Sequence, residues 1–183
     1  VIRDFTVVDS DGVSHTLSEI LQEKELVVLN FWYTTCSWCV EDFPYMETAY
    51  RNYKDKVEVL ALDPYGTDTE GAISDFKNTM GLSFPMIKDY NALYAAFGVN
   101  AFPTSVFVDR YGVICLIEEG ALIGDQPFTV AFDHFTGDDY VQGLYQNVES
   151  LKVSSLTEEE AALLAYFPDL KTVDASGMDC AAA

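Results

Sequence analysis

Between residues 5 and 17, Phe5, Val7, Val13 and Leu17 alternate with polar positions around Asp11-Gly12. Period-two alternation about an Asp-Gly pair predicts a β-hairpin, because that dipeptide accepts the left-handed backbone of a tight turn. Ser18 is placed to cap a short helical turn running through Leu21. The run Leu26-Val27-Val28-Leu29-Asn30-Phe31-Trp32 is apolar but for Asn30. It is far shorter than the roughly 20 residues of a membrane span and fits a central strand covered on both faces.

After Cys39 the period changes. Cys39, Phe43, Met46, Tyr50 and Tyr53 recur at steps of three and four, which predicts a helix buried along one face, kinked at Pro44. Val57–Leu62 reads as a strand, residues 69–80 as a helix stopped by Gly81, and Phe84–Ile87 as a short apolar strand. Asp89 is placed to cap a helix carrying Leu93, Ala96 and Phe97 that ends at Gly98. Ser105–Val108 and Val113–Ile117 predict two strands joined by a turn at Asp109-Arg110-Tyr111-Gly112. Helices are predicted over 126–135, with Phe128, Phe132 and Phe135 inward, and over 138–151. A last one is expected at about 158–167, with Thr157 and Glu160 as a capping box and Pro168 as the stop.

This order of elements implies an α/β fold with a mixed central sheet flanked by helices. An N-terminal β-hairpin precedes it and a C-terminal helical extension follows. The expected domain covers residues 1–153, with 154–183 as a helical appendage and tail.

A chain of 183 residues with 49% hydrophobic and 14% aromatic content can bury a real core, which excludes a disordered chain. Thirty Asp and Glu against ten Lys and Arg leave a formal net charge of -20. Such a surface repels phosphate backbones and anionic membrane faces, so neither nucleic acid nor direct membrane adsorption is expected. The chain begins at Val1 rather than Met, and an upstream segment is expected to have been removed.

Four cysteines are too few for a disulfide scaffold at this length. Two of them, Cys36 and Cys39, lie three apart where the buried strand gives way to the helix. Disulfide exchange needs a reachable thiolate and a second thiol that can resolve the mixed disulfide. A cysteine at a helix N-terminus faces unbonded backbone N–H groups and the positive end of the helix dipole, and the second lies one turn on along the same side. The dipole stabilises a thiolate by up to about 0.7 pKa unit. No Lys or Arg adds to this nearby, while Glu41 and Asp42 oppose it, so Cys36 is expected to be moderately acidic and nearer a reductant than a strong oxidant. Trp32, Tyr33 and Trp38 are placed to form an apolar rim for a protein partner, ordinary packing being the other use of such residues.

Asn30-Phe31-Trp32-Tyr33-Thr34-Thr35-Cys36-Ser37-Trp38-Cys39 resembles the active-site segment of thioredoxin-like proteins, and Phe43-Pro44-Tyr45-Met46 continues the match. Ala101-Phe102-Pro103-Thr104 resembles that superfamily's cis-proline loop. The hairpin and the extra strand–helix segment around 57–87 are similar to the extracytoplasmic TlpA/ResA-like branch, which overlaps the AhpC/TSA group. The resemblance implies a protein thiol–disulfide oxidoreductase, acting as a reductant outside the cytoplasm. In it Cys36 attacks, Cys39 resolves, and Phe102 with Pro103 orients the substrate strand. It also implies that Asp42, at the place of a carboxylate in that branch, helps move the Cys39 proton. Protein thiols and disulfides are the implied partners, with a membrane electron donor and apocytochrome c as candidates and membrane attachment only through an N-terminal anchor. No cofactor beyond the Cys36–Cys39 disulfide, and no resident metal, is expected. Trp38 stands where the family often has Pro, which leaves the redox potential open.

Two alternatives use the same residues. A thiol-based metallochaperone would bind copper or zinc through Cys36, Cys39 and His134, although related copper carriers space their cysteines one residue wider. A peroxiredoxin-like peroxidase would want Thr three residues before its cysteine, where this chain has Tyr33. Cys115, in an apolar strand, is expected in the core. Cys180 lies in the tail, and His134 on a helix surface.

Overall fold

Every residue of the apolar run Leu26–Phe31 is buried, and the run forms strand β3, as a strand covered on both faces must. In the computed structural model the described residues are 1–64, 66, 68–123 and 127–137, with the backbone alone of 150–152 and 172–174. Strands β1 (Thr6–Val8) and β2 (Ser14–Thr16) form the N-terminal hairpin, followed by helix α1 (Leu17–Glu23). After β3 come α2 (Ser37–Tyr53), β4 (Val57–Pro64), α3 (Glu70–Met80), β5 (Met86–Asp89) and α4 (Leu93–Ala96). Strands β6 (Thr104–Asp109) and β7 (Ile114–Glu119) and helix α5 (Pro127–Phe135) complete this part.

The central sheet has the order β5-β4-β3-β6-β7. β3, β4 and β5 run parallel, joined by helices, whereas β6 is antiparallel to both β3 and β7. One face buries Val27, Leu29 and Phe31 with Leu60, Leu62, Ile87, Val106 and Val108. A second apolar cluster is aromatic. Phe43 of α2 packs between Trp32 at 5.0 Å and Phe84 at 5.7 Å, and Phe107 meets Phe135 at 5.9 Å.

Local chemistry explains the element ends. Thr69 Oγ1 accepts from Ala72 N at 3.1 Å to cap α3, and Gly81, at φ 66, closes it in the left-handed conformation that a Cβ disfavours. Asp109 Oδ1 accepts from both Tyr111 N and Val113 N, which builds the β6–β7 turn. Asp89 Oδ2 accepts from Tyr94 N at the start of α4. Helix α2 runs on through Pro44 as one element.

Three expectations need correction. Ser18 does not cap α1: its own N–H and hydroxyl are bonded by Asp4, at 2.9 and 2.8 Å, so the capping carboxylate comes from fourteen residues upstream. Cys115 is half-buried rather than in the core, because β7 is an edge strand with exposed positions along its length; its thiol donates to Phe107 O at 3.4 Å. By its internal contacts the chain separates into a unit Val1–Thr136 and a unit Gly137–Ala183. The second unit contains β8 (Ser150–Lys152) paired in parallel with β9 (Thr172–Asp174), so residues 150–152 hydrogen-bond onward along the chain instead of ending a helix. The rest of the helix expected over 138–151, the helix at 158–167 and Cys180 lie outside the described residues.

Phe84 is fully buried against Phe43 and Tyr50. Phe84→Ala is expected to cost about 3–5 kcal/mol of unfolding free energy in urea titration, while Cys36 and Cys39 still form their disulfide below the transition.

Candidate active site

β3 ends at Phe31, and Trp32 N still bonds Leu62 O of β4 at 3.1 Å. The chain then turns through Tyr33-Thr34-Thr35-Cys36, closed by Cys36 N to Tyr33 O at 3.1 Å. Cys36 emerges as the N-cap of α2, and its sulfur accepts from Cys39 N at 3.2 Å. The two sulfurs are joined in a disulfide, with Cα atoms 5.3 Å apart. Cys39 is sealed from solvent, whereas Cys36 keeps 5% of its surface. A visiting thiolate therefore finds the outer sulfur, and the inner one is held back. This asymmetry is what ordered attack and resolution require.

The proline loop lies beside this turn. Phe31 pairs with Thr104 across β3–β6, so Pro103 and Trp32 leave the sheet next to each other. The Phe102–Pro103 peptide bond is cis. Phe102 is half-buried and meets Tyr33 edge-on at 5.3 Å. Trp38, in the first turn of α2, is 57% exposed. Trp32 does not belong to this rim. It is fully buried between Phe43 and Phe76 at 5.0 and 4.9 Å, because the chain is still held against β4 where it leaves β3.

Asp42 lies one helical turn beyond Cys39, a spacing that puts both on one side of α2. Its carboxyl is buried, Oδ1 accepts from Leu122 N at 2.9 Å, and Oδ2 makes no hydrogen bond among the described residues. Burial pushes its pKa up to about 7 against the stabilising Leu122 bond. Such a group exchanges a proton near neutrality. Asn30, also fully buried, donates to Ser105 Oγ at 3.0 Å.

Sequence reasoning missed Asp68. Its two oxygens accept from the Thr34 N–H and hydroxyl, each at 2.6 Å. The partners are 34 residues apart, so no local period could reveal them. Asp63, an acid at the end of β4 beyond its apolar stretch Val59–Leu62, was the visible signal that something polar lies beneath this loop. His134 is on the exposed side of α5, and no group of three or more His, Cys, Asp or Glu suited to a metal occurs among the described residues.

The Redoxin family profile matches residues 1–131. The chain is 37% identical over 125 residues to the thiol-disulfide oxidoreductase ResA of Bacillus thuringiensis (strain Al Hakam), covering 67% of this chain and 68% of that protein. It is 32% identical over 120 residues to the thioredoxin-like protein YneN of Bacillus subtilis, covering 65% of this chain and 69% of the relative. The crystal structure of StoA from Bacillus subtilis superposes with a TM-score of 0.59 at 20% identity, covering 71% of this chain and 95% of that one. The shared architecture is the thioredoxin fold, which in this chain is preceded by the N-terminal hairpin.

The raised Asp42 carboxyl has a consequence for stability. Between the unfolded value of 3.8 and the folded value of about 7, the native state holds a proton that the unfolded state has released. Unfolding free energy is therefore expected to fall as pH rises through this window, by up to about 1.4 kcal/mol per unit from this group. Asp42→Asn should remove that contribution, read as a flatter pH dependence of the urea midpoint from pH 4 to 7.

Proposed function

The chain belongs to the Redoxin family, in the TlpA/ResA-like part of the thioredoxin superfamily, and on that premise we propose that it reduces protein disulfides outside the cytoplasm. The carrying observation is the Cys36–Cys39 disulfide at the N-terminus of α2, with the outer sulfur open and the inner one closed.

In the reduced protein the Cys36 thiolate attacks one sulfur of a substrate disulfide. A Cys36–substrate bond forms, and the displaced substrate sulfur leaves as a thiolate that takes a proton. The Cys39 thiolate then attacks the Cys36 sulfur. This closes the internal disulfide and releases the second substrate thiolate, so two electrons have passed to the substrate. The Cys39 thiol must lose its proton where solvent cannot take it, and Asp42, one turn along and poised near neutrality, is the base for that step. Phe102 and Pro103 offer the backbone beside the disulfide to an extended substrate segment, and exposed Trp38 supplies apolar contact. The reaction needs only the protein's own dithiol and an external dithiol donor. A membrane donor and apocytochrome c fit this chemistry.

Cys36→Ser is expected to abolish reduction of insulin by dithiothreitol above background. Cys39→Ser should accumulate a Cys36–substrate mixed disulfide, visible by non-reducing electrophoresis; unimpaired turnover in either variant would refute the assignment. The potential of the pair is expected near the −270 mV of a reductant, with a value near −120 mV marking an oxidant instead.

A further inference from the structure

Thr34 is the second residue of the turn that delivers Cys36 to the mouth of α2, and Thr35 is the third. Nothing within the turn holds Thr34 in place apart from the single Cys36 N to Tyr33 O bond. Its restraint comes instead from the β4–α3 connection, where Asp68 takes its N–H and its hydroxyl on two separate oxygens. A two-point bond to a carboxylate fixes both position and rotation of the residue, and each charge-assisted bond is about twice as strong as a neutral one.

Asp68 is itself backed from behind. Lys88 on β5 donates from Nζ to the Asp68 carbonyl and stands 3.9 Å from Asp63 Oδ1. Asp63, fully buried at the end of β4, has Asp68 as its other polar neighbour, through side chain and backbone N–H. Burial, then the bond to Asp68 and its charge, push Asp63 well above the usual carboxylate range. Burial also pushes Asp68 up, but the bonds from Thr34 and Asp63 and the charge of Lys88 outweigh it and hold Asp68 low. The two shifts run in opposite directions, so of the pair Asp63 is the one that favours the proton and Asp68 the one that favours the charge. Asp68 then sits as a buttressed acceptor and not as one of two mutually repelling anions.

We propose that Asp68, supported by Asp63 and Lys88, is a positioning residue for the nucleophile: through Thr34 it holds the turn that keeps the Cys36 sulfur against the Cys39 N–H at the head of α2. The thiolate of reduced Cys36 gains its stability from that alignment. Loosening the turn lets the sulfur drift off the helix axis, which raises the Cys36 pKa and lowers the thiolate fraction. The inference uses the exchange reading to give the alignment a purpose. Its test needs no protein substrate, so failure of insulin turnover and failure of this inference are separate results.

The experiment is alkylation of the fully reduced protein by iodoacetamide across pH, read on the Cys36 peptide by mass spectrometry, with melting temperature measured in parallel. Asp68→Asn, which keeps one acceptor oxygen, and Thr34→Val, which removes only the hydroxyl, are each expected to move the Cys36 titration upward by as much as about 0.7 unit, or about fivefold in thiolate fraction at neutral pH. Glu70→Gln, two residues along the same connection and bonded to Tyr90 instead, should leave the titration where it is. A Cys36 profile in Asp68→Asn and Thr34→Val that superimposes on the parent, whatever the melting temperature does, would overturn the proposal. If Asp68→Asn does not fold, Thr34→Val decides alone.

Discussion

The end of a strand buried on both faces meeting the start of a helix is the constraint from which the rest follows. β3 is hydrogen-bonded to β4 on one side and β6 on the other, and its residues are inaccessible. The chain can reach the surface only past Phe31, and the helix that follows must begin with unbonded N–H groups pointing at whatever lies there. Cys36 lies there. A sulfur in that position is partly exposed, faces a positive dipole end and has its partner one turn behind in a sealed site. The disulfide's asymmetry is therefore a property of the strand–helix junction and not of the two cysteines taken alone.

The same burial acts on carboxyl groups. The whole chain has a formal net charge of -20, yet of the acids that bear on the site Asp42 and Asp63 are buried and Asp68 is half-buried. Asp42 is raised to about 7 because water is excluded from it and the Leu122 N–H compensates only in part. Asp63 is raised by burial and by its neighbour, while Asp68 stays ionised because Thr34, Asp63 and Lys88 satisfy it. Three aspartates with one intrinsic pKa thus acquire different protonation states, and each state follows from the partners within reach.

Trp32 and Trp38 show the limit of reading side chains by type. Trp32 precedes the cysteines and Trp38 lies between them, and both were expected on the rim. One packs into an aromatic cluster with Phe43 and Phe76, and the first turn of α2 leaves the other 57% exposed. Cys115 and Ser18 follow the same lesson. An apolar strand reads as core unless it is an edge, and a capping serine reads as a cap unless a distant carboxylate takes the position first.

Local order along the chain was legible because it rests on short-range physics. The hairpin around Asp11-Gly12, the alternation of strands and helices, the Gly81 stop and the Cys36–Cys39 spacing at a helix start depend on backbone sterics and on periods of two or 3.6 residues, all written within a few positions. Tertiary structure alone decided which residues distant in sequence touch: Asp4 on Ser18, Leu122 on Asp42 and Asp68 on Thr34. These contacts join residues 14 to 80 positions apart, and no periodicity encodes such distances. They form because the sheet brings strand ends together and strips water from the polar groups trapped between them.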